Sequence, residues 1–416
     1  MKRKQLMLKS ILVLIILVLV ISPFIASCSS STTTSTTTTT SPATKTLKIG
    51  VIFWLGWALG LDSVHGMELA ASMINAQGGL DVGGEKYNIE LVEYDSKFNP
   101  QDARAAAERL INQDKVDFIL GDEMCDAWIS ETEAAHVLSV DASPATGIFN
   151  TNNKYTFQGT DFNTTAPSVW AWFAQNNPQV KTVVLAFPDG MLGHLVADMA
   201  TKLSAIYGPK IIDTIFYPPS ATDLSVVGTK VMADHPDSFC AAAGGAETDN
   251  LCYKAVYEAG FKGTIWSFVG NAPETGAAIV GAAPLEGEIC NEAAINTPNP
   301  PPVAAAFKTA WIAKYGSWNF PALSESSVFY ILITGITKAG SLDTDKVAAT
   351  IANGMTFESL GGPSKMIARP DLGDSRTVDE LVSATVIKTV GGHAQVLATI
   401  NVDQAYQYCK TFYGWK

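Results

Sequence analysis

One short segment of this sequence combines three carboxylates with a thiol: Asp122-Glu123-Met124-Cys125-Asp126. Carboxylates at that density could attract the ammonium group of a ligand by Coulomb interaction. The alternative is an acidic surface loop that is solvated by water. A second distinctive pair is Trp54 and Trp57, whose indole rings suit an apolar or aromatic ligand or a cation over the ring. These rings could equally pack beneath their own loop.

Motifs for covalent or metal chemistry are absent from the sequence. The histidines are His65, His136, His194, His235 and His393, and they form neither HExxH nor another close metal-binding spacing. The sequence has no G-x-S-x-G nucleophile elbow and no G-x4-G-K-[ST] phosphate loop. We therefore expect no metal, no cofactor and no enzyme activity, and we look for a site that binds without reaction.

Alternating strands and helices must position these residues. The first predicted strands are 47–53, 87–94 and 116–120, which are short apolar runs. The helix between the first two presents one apolar face, made by Val64, Met67, Ala71 and Ile74. Asn99-Pro100 begins the next helix as N-cap and first-turn proline. This alternation predicts a parallel sheet with right-handed crossovers.

The same pattern repeats later in the chain. Further strands are predicted at 181–187, 210–217, 238–243 and 264–269, and helices at 193–207, 224–233, 247–259, 303–315, 326–339 and 343–353. A hairpin around Gly391-Gly392 joins strands 383–390 and 395–402. The sequence thus predicts two α/β lobes. Ligands of such sheets bind beyond the carboxyl ends of the strands, near helix N-termini, and hinged closure of two lobes would remove a ligand from water.

The N-terminus has the pattern of a secretory signal. Lys2, Arg3, Lys4 and Lys9 precede an apolar run at 11–21, which is too short to span a membrane. Cleavage before Cys28 would leave 389 of the 416 residues, enough for about two domains. Residues 29–46 are mostly Ser and Thr, a composition that predicts a flexible tether.

The charge of the exported chain excludes some partners. Removal of residues 1–27, which hold four of the 28 Lys and Arg and none of the 40 Asp and Glu, changes the formal net charge from −12 to −16. Such a chain repels phosphate backbones and anionic lipid surfaces, so we expect no nucleic-acid partner. Apart from Cys28 at the cleavage site, the exported chain has five cysteines, an odd number that leaves at least one thiol outside any internal disulfide. They are Cys125, Cys240, Cys252, Cys290 and Cys409.

Several motifs together resemble one family. Gly60 and Gly66 lead to Ala70, Ile74-Asn75 and Gly78-Gly79, and Asp114-Lys115-Val116 leads to Ile119-Leu120-Gly121. In this order and spacing the motifs resemble the type I periplasmic solute-binding proteins of ABC transporters, specifically the branched-chain amino-acid (Leu/Ile/Val) binding family. Ile-Ala-Ser-Cys28 resembles the bacterial lipobox, in which the cysteine is lipidated; an ordinary cleavage site is the alternative.

The resemblance implies an architecture and a function. Lobe one would be residues 47–160 plus 300–362, and lobe two 161–299 plus 363–416. Three hinge crossovers would join them, near 157–163, 296–301 and 361–370. The implied function is that of an extracytoplasmic lipoprotein of an ABC importer that captures an amino acid or related polar solute. The implied partners are the solute, an ABC permease and the lipid anchor, with the protein a monomer. The alternatives are a ligand sensor that reports to a membrane receptor, and a binding protein for aromatic carboxylates.

The resemblance also implies a set of ligand contacts. They are Trp54, Trp57, Cys125, Asp126, Ala142, Ser143, Thr146, Met191, Leu192, Glu247, Thr248 and Asn271. Ser143 and Thr146 would hold a ligand carboxylate, and Glu247 or Thr248 stands where the family has an acid for the α-ammonium. Leu192 replaces the family's usual aromatic residue, and Cys125 lies near a position where the family has Ser. Together these residues would suit a zwitterion, whereas an aromatic carboxylate would leave Glu247 without a partner.

Overall fold

The computed structural model of the protein describes residues 45–56, 58–145, 148–316, 318, 325–372 and 377–416. The predicted signal peptide 1–27, Cys28 and all but the last two residues of the predicted tether lie outside these ranges, as do Trp57 and Thr146. Among the described residues, no helix has the length and apolarity needed to cross a membrane.

Strands and helices alternate through most of the chain. The strands are β1 Lys45–Phe53, β2 Leu80–Val82, β3 Glu85–Asp95, β4 Phe118–Gly121, β5 Leu138–Asp141, β6 Thr156–Gln158, β7 Thr182–Pro188, β8 Lys210–Tyr217, β9 Ser238–Ala241, β10 Thr264–Trp266, β11 Ile289–Glu292, β12 Thr356–Ser359, β13 Gly362–Ala368, β14 Thr377–Val382, β15 Ala384–Val390 and β16 His393–Ile400. The helices are α1 Ala58–Ala76, α2 Pro100–Arg109, α3 Ile129–Ala135, α4 Phe162–Asn176, α5 Met191–Tyr207, α6 Ser225–Asp234, α7 Gly245–Glu258, α8 Pro273–Val280, α9 Pro302–Tyr315, α10 Ser327–Ala339, α11 Thr344–Ala352 and α12 Val402–Tyr413.

The strands form two large sheets and one small sheet. The first large sheet has the order β2-β3-β1-β4-β5-β6, and all its pairs are parallel except the β2–β3 hairpin. The second has the order β16-β15-β11-β10-β9-β7-β8, with the antiparallel hairpin β15–β16 at one edge. The small sheet is β12-β13-β14. The predicted α/β fold with two parallel-dominated sheets flanked by helices is therefore confirmed.

Helices cover both faces of each large sheet, so its central strands are apolar on both sides. In β1, Val51 and Phe53 pack in one core, shared with α1 and α10, while Ile52 packs in another, shared with α2. In β7, Val183 packs toward α4 and α5, and Val184 packs toward α6 and α7. This alternation explains why the strands appear in the sequence as continuous apolar runs.

Local signals in the sequence are confirmed where they involve caps and turns. Asn99 caps α2, because its Oδ1 accepts hydrogen bonds from the backbone N–H groups of Gln101 at 2.8 Å and Asp102 at 3.3 Å. Gly391 and Gly392 turn the β15–β16 hairpin with φ of 59° and 83°. The left-handed region that these angles occupy favours glycine.

The predicted ends of several strands need correction. β9 ends at Ala241 and β10 at Trp266, not at Ala243 and Val269. Ala242 and Ala243 follow β9, and Phe268 and Val269 lie just beyond the end of β10, so the apolar pattern extends past each strand. The strand predicted to reach Val402 ends at Ile400, because Asn401 caps α12 by accepting the N–H of Gln404 at 2.9 Å.

Other elements were not predicted from the sequence. They are the strands β2, β5, β6 and β11, the small sheet, and the helices α3, α4, α8 and α12. The segment 361–370, which the resemblance gives as a hinge crossover, contains β13 of the small sheet. All five described cysteines are buried and none is in a disulfide, although the export signal would permit disulfides.

Candidate functional site

The carboxyl ends of strands from both large sheets converge on one cavity of about 400 Å³. Glu123 follows β4 and Ala142 follows β5 in the first sheet, and both line the cavity. Ala243 follows β9 and Asn271 follows β10 in the second sheet, and both line it as well. A ligand there would be held from both sheets at the strand ends where α/β folds bind ligands.

Much of the cavity wall is apolar. The larger apolar side chains that line it are Leu59, Phe162, Leu192, Val196, Phe268, Val269, Leu360 and Val382. Such a surface suits the carbon skeleton of a small molecule, while a few polar groups fix its orientation.

The charged lining of the cavity has one sign. Its six carboxyl groups belong to Glu123, Asp161, Asp249, Glu292, Glu325 and Glu380, and no described lining residue is Lys, Arg or His. Burial is the main cause that raises the pKa of Glu123, Asp249 and Glu292, each to about 7. Burial also raises the pKa of Glu325, and the charges of Glu123 and Asp122 add to this effect. Burial therefore favours the protonated, uncharged form of these four carboxyl groups in the ligand-free protein.

Glu292, the last residue of β11, presents an unused acceptor at the cavity. Its side chain is 5% exposed. Oε1 accepts hydrogen bonds from the backbone N–H of Ala293 at 2.8 Å and from Nδ2 of Asn296 at 2.9 Å. Oε2 is buried and has no hydrogen-bond partner among the described residues. A buried carboxylate oxygen without a donor is energetically costly, so this oxygen is suited to accept from a bound group.

Asn271 is fixed by a buried amide network. Its Oδ1 accepts from Nδ2 of Asn250 at 3.0 Å, and its Nδ2 donates back to Oδ1 of Asn250 at 3.1 Å. The same Nδ2 donates to Oε1 of Glu288 at 2.8 Å. Because these bonds hold the amide, Asn271 presents a rigid polar surface at the cavity.

Asp249 lies near the start of α7 and is also held in place. Its Oδ1 accepts from the backbone N–H of Gly244 at 3.0 Å and from the hydroxyl of Tyr217 at 3.3 Å. Both donors and the positive end of the helix favour the ionised carboxylate. Burial outweighs them in the ligand-free protein, since the pKa of Asp249 is raised.

Three of the residues predicted as ligand contacts line this cavity: Ala142, Leu192 and Asn271. Leu192 is 46% exposed at the first turn of α5. Ser143 lies between two lining residues, but its Oγ accepts from the N–H of Ala145 at 3.3 Å and so stabilises its own turn. Trp57 and Thr146 are outside the described residues.

Two other predicted contacts are core residues. Trp54 is 3% exposed, and its ring meets the ring of Phe98 edge-on at a centroid distance of 5.1 Å. Cys125 is fully buried in the core that contains Leu110 and Trp128, where burial raises the pKa of its thiol well above its ordinary value. The ring of Trp54 therefore packs beneath its own loop, which is the alternative that the sequence left open for this residue.

The remaining predicted contacts are outside the lining of the cavity. Asp126 and Glu247 are exposed, and Met191 is 85% exposed. The hydroxyl of Thr248 donates to the carbonyl of Gly244 at 2.6 Å, within its own helix start. Glu247 is adjacent in sequence to this residue, whereas the acid that reaches the cavity is Asp249.

Most of the acids that line the cavity were missed in the sequence. Glu292 ends a strand that was not predicted, and Asp161 was noted only within a crossover segment. Asp249 lies two positions from the predicted Glu247, on the same helix α7. Glu325 lies just before α10 and Glu380 lies on the small sheet, and no local sequence pattern connects either position to the strand ends.

The structure also contains a wider surface hollow of about 1210 Å³. It is lined by β12, β13 and β16 and by the segment 297–301, away from the carboxyl ends of the parallel strands. Across the described part of the chain, no group of three or more His, Cys, Asp or Glu has a metal-binding arrangement.

Solved structures of similar fold align with this chain over almost their whole length. A leucine-binding protein of Thermotoga maritima is 22% identical with a TM-score of 0.64, covering 86% of this chain and 99% of its own. A branched-chain amino-acid transporter substrate-binding protein of Streptococcus pneumoniae, solved with isoleucine, is 21% identical with a TM-score of 0.66, covering 85% and 99%. A solute-binding protein of an ABC transporter from Rhodopseudomonas palustris, solved with 3,4-dihydroxybenzoic acid, is 19% identical with a TM-score of 0.67, covering 86% and 98%. At these identities the likeness shows the fold.

A family model matches most of the sequence as well. The model is that of the periplasmic binding proteins, and it matches residues 46–387. The match runs through both large sheets and includes the strand ends that line the cavity. The chain therefore belongs to the periplasmic binding protein family.

Proposed function

We propose that this protein is the extracytoplasmic binding lipoprotein of an ABC importer and captures an amino acid or related polar solute in the 400 Å³ cavity. The observation that carries the proposal is the convergence of strand ends from two sheets on that cavity in a chain of this family. Closure of two lobes, 47–160 with 300–362 and 161–299 with 363–416, traps the solute and signals to the permease. The binding protein works as a monomer.

Export and anchoring complete this proposal. Residues 1–27 direct export and are removed, Cys28 carries the lipid, and residues 29–46 tether the body to the membrane. Cys28→Ala should release the protein from the membrane fraction of an expressing bacterium, and metabolic labelling with a fatty acid should mark the chain that has Cys28 but not the variant. Label on the Cys28→Ala variant would contradict the assignment.

The solute contacts that we propose begin with Ala142, Leu192 and Asn271, because sequence expectation and cavity lining agree on them. The acids of the lining would hold an ammonium group. A binding protein for aromatic carboxylates is the second candidate, since a relative of similar fold was solved with 3,4-dihydroxybenzoic acid. The acidic lining opposes that candidate, because it would repel an anion.

A thermal-shift screen on the soluble body from Lys45 onward tests the proposal. The panel contains α-amino acids, their des-amino carboxylates, aliphatic amines and aromatic acids. A solute at one hundred times its Kd adds about 2.7 kcal/mol to the free energy of unfolding, which raises Tm by several degrees. A shift by any class supports solute binding, and a panel with no shift at all counts against it. Lobe closure would be the same in a sensor, so the discovery of permease and ATPase genes beside this gene would favour import over sensing.

A further inference from the structure

We infer that the cavity selects solutes with a net positive charge, specifically aliphatic amines with two ammonium groups and no carboxylate. This inference rests on the proposed function and narrows its solute class. The lining has six carboxyl groups and, among described residues, no basic side chain. A zwitterion would need a cationic or N–H donor partner for its carboxylate, because a buried charge without a partner is costly. The described lining offers six carboxyl groups to a cation but only uncharged amide, hydroxyl and backbone groups to a carboxylate.

The acids occupy both sides of the cavity. Glu123 follows β4 of the first sheet, and Glu325 precedes α10, which packs on that sheet. The charge of Glu123 acts on Glu325, so these two groups are neighbours. Glu292 at the end of β11 and Asp249 on α7 belong to the second sheet and its helices. A ligand with an ammonium group at each end can meet acids on both walls.

The free oxygen of Glu292 points to the same ligand class. Glu292 is 95% removed from solvent, and Oε2 has no hydrogen-bond partner among the described residues. An ammonium group supplies both the missing donor and the compensating charge. The other charged groups that act on this carboxyl are Glu274, which opposes its ionisation, and Lys308, which favours it. Lys308 lies over the ring of Trp318 at 5.1 Å and is outside the cavity lining.

The apolar lining favours an organic cation over a metal ion. Phe162, Val196, Phe268 and Leu360 offer a surface for a carbon chain between charged ends. Within the described ranges no cluster of three or more carboxylate, imidazole or thiol groups is arranged for a metal. A linear diamine combines both requirements, since its ends are charged and its stem is apolar.

A series of five-carbon solutes isolates the effect of charge. The solutes are 1,5-diaminopentane, 5-aminopentanoate and glutarate, which share a chain length and carry charges of +2, zero and −2 at pH 7.5. Isothermal titration into the soluble body should rank their affinities in that order, with at least tenfold between successive members. Tighter binding of 5-aminopentanoate or glutarate than of the diamine would overturn the inference and leave solute binding intact.

Two variants locate the effect on the two walls. Glu292→Gln keeps an oxygen for the N–H of Ala293 and the amide of Asn296 but removes the charge. Glu123→Gln removes a charge from the other wall and serves if the first variant fails to fold. Each should weaken binding of 1,5-diaminopentane at least tenfold, whereas Glu258→Gln, an exposed position on α7, should change it less than twofold. If both variants fold and bind 1,5-diaminopentane as tightly as the unsubstituted protein does, the assignment of Glu292 and Glu123 as ammonium-binding residues is wrong.

The charge preference of the cavity and the importer function can be disproved separately. If leucine or another amino acid binds and no member of the five-carbon series does, the charge inference is wrong and the importer function stands. If no solute of the screening panel or of the series binds, the proposed function itself is wrong.

Discussion

Asn271 donates a hydrogen bond from Nδ2 to Oε1 of Glu288 at 2.8 Å, and this bond joins the cavity wall to a fully buried carboxyl group. The other oxygen of Glu288 accepts only a long bond of 3.4 Å from the hydroxyl of Thr389. The position of Asn271 at the cavity therefore depends on a polar network behind it. The wall that would contact a solute is held by the protein before any solute arrives.

Asn271→Ala should lower the free energy of unfolding by about 1–3 kcal/mol, because Glu288 and Asn250 lose a buried partner. Urea unfolding followed by circular dichroism measures this change. The control is Asn176→Ala, an exposed asparagine whose amide donates to the carbonyl of Trp172, and it should change the value by about 0.5 kcal/mol or less. Similar effects at both positions would show that the network does not support the wall.

The ligand-free protein should lose stability as the pH rises from about 5 to 8. Burial raises the pKa of Asp122 to about 6, of Asp249 and Glu292 to about 7, and of Glu288 to about 8. The folded state therefore holds protons that the unfolded state releases near pH 4. The stabilisation that these carboxyl groups contribute is complete below pH 4. It is lost as the pH rises through their pKa values in the folded protein.

Tm measured at intervals of half a pH unit tests this expectation. Glu292→Gln should flatten the decline around pH 7, because one of the contributing carboxyls is removed. An exposed control, Glu258→Gln, should leave the slope unchanged. A Tm that rises steadily between pH 5 and 8 would contradict the raised pKa values.

Gly193→Ala should destabilise the protein, because a methyl group there would collide with the backbone oxygen of Pro188. This close approach brings the first turn of α5 against the end of β7, where Leu192 reaches the cavity. Overpacking of this kind costs about 1–3 kcal/mol. Gly190→Ala is the matched control three positions away, since nothing lies within 4 Å of its added methyl and its φ of −159° suits any residue. Urea midpoints of the two variants should differ clearly, and equal midpoints would contradict the close approach.

The five described cysteines should resist thiol reagents in the native protein. Each is buried without a disulfide, and burial raises the pKa of the thiol of Cys125 well above its ordinary value. Reactivity depends on an accessible thiolate. Ellman's reagent should therefore detect almost no thiol in the native soluble body and five thiols in guanidinium chloride. Rapid native labelling of Cys125, blocked by solute, would return this residue to the binding site.

The two-sheet α/β architecture could be predicted from the sequence because the central strands of each sheet are short apolar runs in the sequence. Val51 to Phe53 and Val183 to Val184 belong to apolar runs that only a strand covered on both faces explains. Capping at Asn99 and the turn at Gly391-Gly392 likewise depend on neighbours in sequence.

The candidate site could be predicted only in part, because it assembles from distant segments. Leu192 and Asn271 follow predicted strands, so strand ends indicated them. Glu292, Glu325 and Glu380 meet at the cavity although 88 residues separate the first from the last, and tertiary packing alone brings them there. The sequence therefore does not show that these three acidic residues lie at the same cavity.

The most direct test of the account is a titration that separates two adjacent residues of α5. Leu192 lines the cavity, whereas Met191 is 85% exposed and is outside its lining. Isothermal titration of the strongest solute from the panel should show at least tenfold weaker binding to Leu192→Arg and unchanged binding to Met191→Arg. Because both variants carry the same change in charge, the comparison reports location. Unchanged affinity in Leu192→Arg, or an equal loss in Met191→Arg, would contradict binding in this cavity.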